Sequence, residues 1–69
     1  MQDQFNVYLF SIVNKQGTTD MQVYGKNFWE AYNALLITHH LEIVSMSYDA
    51  RLNTACPEGW ILNYNIKTF

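Results

Sequence analysis

The chain has 69 residues, of which 49% are apolar and 16% aromatic, and its formal net charge is −2 at pH 7. This length allows a single domain, and the apolar content is too high for a disordered chain. Four scattered cations, Lys15, Lys26, Arg51 and Lys67, argue against binding of a phosphate backbone as the main activity.

The amino-terminal part predicts a β-hairpin. Residues 5–14, FNVYLFSIVN, are rich in β-branched and aromatic residues and predict a strand. The turn NKQG follows, and residues 18–25 alternate with Met21 and Val23 pointing inward. Alternation in the first strand puts Phe5, Val7, Leu9 and Val13 on one face and Tyr8, Phe10 and Ile12 on the other. Because both faces are apolar, we expect this strand at the centre of a sheet.

A helix over residues 28–40 is predicted next. Gly25 ends the strand, Asn27 suits the N-cap position, and Glu30 completes a capping box. A spacing of 100° per residue puts Phe28, Ala31, Leu35 and Thr38 on the inward stripe and Trp29, Asn33, Leu36 and His40 on the far side, with Tyr32 and Ile37 at the borders. The helix therefore carries apolar residues that its inward stripe does not account for.

Two further strands are expected, at residues 42–49 and 60–67, separated by a loop over 50–59 that contains Pro57 and Gly59. In the last strand, Trp60, Leu62, Tyr64 and Ile66 are expected to point inward. The prediction is one α+β domain over residues 1–69, with a four-stranded antiparallel sheet in the order 2-1-3-4 and the helix on one face. The opposite face would expose Tyr8, Phe10, Ile12, Ile43 and Ile61.

The polar residues do not form a recognisable catalytic or metal-binding motif. His39 and His40 are neighbours on the helix and point about 100° apart, so they do not readily chelate one ion. Cys56 precedes Pro57 in a polar loop without a nucleophile signature. The sequence has no glycine-rich phosphate loop. We therefore expect a protein that is not an enzyme and that uses no metal or cofactor.

The apolar surplus is the main functional clue. Large exposed apolar patches usually mark contacts with proteins, and Trp and Tyr are favoured interface anchors. The predicted interaction surface comprises Trp29, Tyr32 and Leu36 on the helix and Tyr8, Phe10 and Ile12 on the open sheet face. The expected partner is a second copy of the chain, or a larger host protein. A single cysteine, no signal-like segment after Met1 and no apolar run of about 20 residues favour the cytoplasm and no membrane.

Alternative functions remain open. A hairpin, a capped helix and a further strand over residues 5–48 resemble, at the level of fold alone, small proteins of phages and mobile elements. Some of those proteins inhibit a host complex such as RNA polymerase or a CRISPR effector by binding it, and this resemblance implies an inhibitor or regulator. Sheet aromatics such as Tyr8 and Phe10 could also stack on single-stranded nucleic acid, although the cations are too few. A small-molecule site between helix and sheet is a third possibility.

Overall fold

The computed structural model describes residues 5–68 and has the α+β composition that the sequence predicts, with one α-helix and antiparallel sheets. Its elements are β1 (Asn6–Asn14), β2 (Gly17–Gly25), α1 (Phe28–Thr38), a 3₁₀ turn (His40–Glu42), β3 (Met46–Asp49), β4 (Thr54–Pro57) and β5 (Ile61–Thr68). The strands form two sheets, one of three strands in the order β2-β1-β5 and one of two strands, β3 and β4.

The first hairpin has the predicted position and a tight turn. Asn14 pairs directly with Gly17, so the loop between the strands is the two residues Lys15 and Gln16. The side-chain oxygen of Asn14 accepts a hydrogen bond from the Gln16 backbone amide at 2.9 Å. Gly17 has a φ of +116°, a backbone conformation that residues other than glycine rarely adopt. The turn therefore sets the register of the whole hairpin.

The predicted sheet order is wrong, although β1 is central as expected. The second partner of β1 is β5, which pairs with it from Val13↔Ile61 to Asn6↔Thr68. A central strand has two edges, and β2 and β5 occupy both of those of β1. Strand β5, which corresponds to the fourth predicted strand, thus takes the position beside β1 that was expected for the third. It offers eight alternating residues for pairing with β1, whereas β3 has only four.

The third predicted strand instead belongs to a second hairpin. Only Met46–Asp49 is extended, and it pairs with β4 (Thr54–Pro57), which lies inside the predicted loop 50–59. Asp49 stabilises the intervening turn, since its side chain accepts from the Arg51 amide at 2.9 Å and its carbonyl from the Leu52 amide at 3.2 Å. The sequence did not predict strand β4 because the strand is short and ends at Pro57.

The two faces of β1 are the reverse of the prediction, whereas Met21 and Val23 of β2 and Leu62 of β5 lie on the covered face as predicted. In β1, Tyr8 lies opposite Val23 and Phe10 opposite Met21, and directly opposed residues share a face. This inner face is covered by α1 and the second hairpin. The main buried cluster consists of Tyr8, Phe10, Ile12, Ala31, Tyr32, Leu35, Cys56 and Leu62, and Val7, on the opposite face of β1, is also fully buried. Of the residues expected on the open face, Ile61 is indeed exposed, whereas Ile43 is half-buried outside the strands.

Helix α1 begins as predicted and ends two residues earlier. The Glu30 amide donates to the Asn27 side-chain oxygen at 2.9 Å, which confirms the N-cap. The Glu30 carboxylate accepts from the Lys26 amide at 3.1 Å, one residue before the N-cap. The buried stripe contains Tyr32 beside Ala31 and Leu35, while Thr38 is exposed, so the inward face is rotated relative to the prediction. Within residues 5–68, no helix is long and apolar enough to cross a membrane.

Candidate functional site

Most of the residues predicted to form an interaction surface lie in the core. Tyr8, Phe10, Ile12 and Tyr32 are at most 3% exposed, so the expectation that they line an open surface is wrong. Leu36 is half-buried and packs against the core. Trp29 remains 53% exposed, and its ring contacts that of Phe28 edge to face at 5.2 Å between centroids.

The aromatic surplus has a structural explanation in a ring cluster around Phe28. The Phe28 ring stacks on that of Tyr32 at 5.3 Å and lies 4.8 Å from that of Tyr64, measured between centroids. It also contacts Tyr8 and Phe10, which stack on each other at 6.2 Å. These rings join helix and sheet, and aromatic pairs of this kind stabilise a core beyond the area that they bury. Tyr8 and Phe10 are thus unavailable for stacking on bases.

A different apolar surface is exposed where α1 runs into the second hairpin. Ile37 is 70% exposed, Leu41 90% and Val44 98%. These three residues, which we call the connection surface, fall within eight consecutive positions. An exposed apolar residue needs no explanation singly. Three large aliphatic side chains with this exposure in one short segment are a candidate contact site.

The backbone of the connection surface is held by its polar residues. The Glu42 amide donates to the His39 carbonyl at 2.9 Å, and the Glu42 carboxylate lies 3.1 Å from Nδ1 of His39. Nδ1 of His40 lies 2.8 Å from the Ile37 carbonyl oxygen. These contacts hold the turn, and Ile37, Leu41 and Val44 project into solvent beside the exposed His40 and Glu42.

Sequence reasoning missed Leu41 and Val44 for identifiable reasons. Leu41 lies beyond the predicted helix and before the predicted strand, and Val44 was assigned to an apolar strand face with Met46 and Tyr48. The strand begins only at Met46, so Val44 has no sheet partner. No pattern in the segment HHLEIV distinguishes a packed valine from an exposed one. Burial of these residues depends on where the chain turns, which is a property of the tertiary structure.

One surface concavity combines an aromatic ring with carboxylates. It has a volume of about 360 Å³, and its lining residues are Asn14, Lys15, Gln16, Glu42, Glu58, Gly59 and Trp60. The Glu58 carboxylate accepts from the Ser45 hydroxyl at 2.8 Å, and Glu42 interacts with His39. The His39 ring meets that of Trp60 edge to face at 5.5 Å. The concavity lies beside the first hairpin turn rather than between helix and sheet, and both its carboxylates already have partners.

Cys56 is placed where a nucleophile would be poorly activated. Its side chain is 3% exposed and belongs to the core. Burial raises the pKa of the Cys56 thiol, which favours the protonated form. Nucleophilic cysteines instead need a lowered pKa. In the part of the chain that the structure describes, no group of three or more His, Cys, Asp or Glu residues could hold a metal ion.

The side chains near Cys56 also show how the second hairpin attaches to the helix. The Tyr32 hydroxyl donates to the Ala55 carbonyl oxygen at 2.7 Å. Burial raises the pKa of the Tyr32 hydroxyl, and its interaction with Cys56 acts in the same direction. Both groups therefore stay protonated at neutral pH and act as structural groups in the core.

Comparison with known proteins finds no match among protein-family models, curated proteins or solved structures.

Proposed function

We propose that this protein acts by binding another protein, and that the connection surface of Ile37, Leu41 and Val44 is the contact site. The observation that carries this proposal is the exposure of Leu41 and Val44, 90% and 98%, on a backbone that hydrogen bonds hold in place. Burying such side chains against a partner stabilises a complex in proportion to the apolar area removed from water.

The proposed mechanism is docking without chemistry. Hydrogen bonds of the turn from His39 to Glu42 hold the backbone around Leu41, so little backbone entropy is lost there when a partner covers the connection surface. The partner would supply an apolar groove of matching size. Trp29 lies two turns of helix before Ile37, about 12 Å away along the axis, and its exposed ring could extend the contact.

This proposal retains protein binding as the function and moves the contact site from the predicted sheet face to the connection surface. Inhibition of a larger host complex, the alternative that the fold-level resemblance implied, would use the same kind of contact. The hypothesis of single-stranded nucleic-acid binding depended on stacking by Tyr8 and Phe10, and both side chains are buried.

Photo-crosslinking tests the proposal directly. A crosslinking residue would replace Leu41, Val44 or Tyr24 in separate variants, and each would be expressed in cells that carry the natural gene. Tyr24 is a matched control because it is 62% exposed but lies on the outer face of β2. We expect one defined partner protein, other than a second copy of the chain, to be crosslinked from Leu41 and Val44 and not from Tyr24.

A binding measurement with the identified partner completes the test. The double variant Leu41→Ser, Val44→Ser should weaken the complex by about tenfold or more, since each lost apolar contact costs on the order of 1 kcal/mol. The control Tyr24→Ser should bind like the parent. Equal crosslinking from all three positions, or unchanged affinity of the double variant, would contradict the proposed contact site.

A further inference from the structure

Strand β2 has an exposed hydrogen-bonding edge. Within residues 5–68 it pairs with β1 on one side and with no strand on the other. Six of its residues are exposed, and Met21 and Val23 are half-buried. Such an edge is a template for pairing with another chain.

The features that usually protect an edge are present on the other strands and weak on β2. Strands β3 and β4 have four residues each. On β5, the Arg51 guanidinium donates to the Leu62 carbonyl oxygen at 3.0 Å and to the Asn63 side chain at 3.3 Å, which occupies part of that edge. Strand β2 has nine residues, GTTDMQVYG, with no proline, lysine or arginine, and its register has no bulge. Its single charge is Asp20.

The hairpin register identifies the backbone groups that face this edge. Asn14 and Gly17 close a two-residue loop, and such a closing pair exchanges both its backbone hydrogen bonds. Every second residue of β2 from Gly17 onward therefore bonds to β1, and the residues between them direct their amide and carbonyl groups outward. The outward residues are Thr18, Asp20, Gln22 and Tyr24. The contact of Arg51 with the Leu62 carbonyl agrees with the same alternation, since it shows Leu62 directed away from β1.

Two copies of β2 are complementary in one antiparallel register. When the twofold axis passes through Met21, the middle of Gly17–Gly25, all nine residues overlap. Asp20 of each copy then lies opposite Gln22 of the other, and Thr18 lies opposite Tyr24. The carboxylate faces an amide that can donate to it. With the axis at Asp20, two carboxylates would lie directly opposite each other, which is destabilising.

We propose that the chain forms a homodimer through antiparallel pairing of β2 with β2 of a second copy, about the twofold axis at Met21. The three-stranded sheets of the two copies become one continuous sheet of six strands. The outward groups of β2 exchange about eight backbone hydrogen bonds. The half-buried Met21 and Val23 meet a neighbouring strand on the inner face, and no like charges are opposed. This inference goes beyond the proposed function and does not depend on the connection surface.

Hydrogen exchange across a wide range of protein concentration provides the first test, with the mass followed by sedimentation velocity. In the monomer, the amides of Thr18, Asp20, Gln22 and Tyr24 should exchange rapidly. In the dimer they should become protected. The amides of Thr19, Met21 and Val23 bond to β1 in both states and serve as internal references. A chain that stays monomeric at all concentrations, or a dimer in which the outward amides remain unprotected, overturns the proposal.

Substitutions at Gln22 provide the second test. Gln22→Pro removes an outward amide that the monomer does not use, and proline is tolerated on an edge strand at such a position. It should raise the dimer dissociation constant at least about tenfold. Gln22→Lys should tighten the dimer and Gln22→Glu weaken it, each by about 2- to 30-fold, since two symmetric pairs with Asp20 change.

The charge variants keep the test decisive if the proline variant does not fold, because the Gln22 side chain is exposed. Equal dimer dissociation constants for Gln22→Lys and Gln22→Glu would overturn the proposed register. Leu41 and Val44 are unchanged in all these variants. Loss of dimerisation with retained binding of a partner would therefore show that the β2 edge and the connection surface act separately. The crosslinking experiment thus tests the connection surface independently of the dimer.

Discussion

The hydroxyl of Tyr32 donates a hydrogen bond to the carbonyl oxygen of Ala55, at 2.7 Å, across 23 positions of the chain. The donor lies in the middle of α1 and the acceptor in β4, so this bond joins the helix to the second hairpin. Cys56, the next residue in β4, lies in the same buried cluster as Tyr32. The helix and the hairpin therefore cover the inner face of the sheet together.

Tyr32→Phe should lower the free energy of unfolding by about 1 kcal/mol, with a range of 0.5–1.5 kcal/mol, because it removes the donor and retains the packing of the ring. Urea denaturation would measure this loss. Tyr24→Phe is the matched control, since Tyr24 is 62% exposed on the outer face, and its effect should stay within about 0.5 kcal/mol. Equal effects of the two substitutions would contradict a stabilising role for the Tyr32 hydrogen bond.

Phe10→Ala distinguishes the observed sheet faces from the reversed ones that the sequence suggests. Phe10 is 1% exposed and contacts the rings of Tyr8, Phe28 and Tyr64. Its truncation should cost about 3–5 kcal/mol, which is a large part of the stability of a domain of this size. Circular dichroism during thermal unfolding would show the loss. Ile61→Ala, at a side chain that is 54% exposed, should have little effect, and a reversed ranking would place the core on the other face.

Asn27→Ala should destabilise the fold by about 1 kcal/mol, because it removes the acceptor for the Glu30 amide at the helix N-terminus. Asn27→Asp retains an acceptor at the same position and adds a negative charge beside the positive end of the helix dipole, so it should be neutral or stabilising. Denaturant unfolding of both variants measures the difference. A stability of Asn27→Ala equal to that of the parent would mean that the cap is not needed.

Stability should fall as the pH rises above about 9. Burial raises the pKa of the Cys56 thiol above its ordinary value of 9.0 and that of the Tyr32 hydroxyl above 10.0. Above those ordinary values the unfolded chain loses protons that the folded chain retains. The folded state is then disfavoured progressively until the raised pKa values are passed, whereas below about pH 9 this contribution to stability is fully present.

Unfolding measured between pH 7 and 11 would check this dependence. Cys56→Ala removes the thiol that titrates first, so the decline of its stability should begin at a higher pH than that of the parent. The same burial predicts slow modification of Cys56 by a thiol reagent in the folded protein and rapid modification after denaturation. A parent and a Cys56→Ala variant with identical pH profiles would show that the thiol does not contribute.

Local sequence signals were reliable where short-range interactions decide the structure. The first hairpin, the Asn27 cap and the inward direction of Met21 and Val23 depend on turn chemistry, capping and alternation. The faces of β1 were assigned wrongly because both are apolar, so alternation alone does not say which is covered. The register of a two-residue turn resolves this point, since it places Tyr8 and Phe10 opposite residues that point inward.

The proposed contact sites were less accessible to sequence reasoning. Trp29 is exposed as expected from its helix position, whereas Tyr32 at the border of the predicted stripe is buried. A shift of a few tens of degrees in helix rotation accounts for this difference. Leu41 and Val44 became candidates only when the 3₁₀ turn and the late start of β3 were known.

By itself, the sequence determined the α+β class, the central position of β1, the first hairpin and the start of the helix, because these follow from the spacing of apolar residues and from turn and cap chemistry over a few positions. Only the tertiary structure decided that β5 pairs with β1, that β3 and β4 form a separate hairpin, and which face is buried. Strands compete for the same two edges of β1, and the result depends on the length of every available partner and on the volume of the side chains that must be enclosed together.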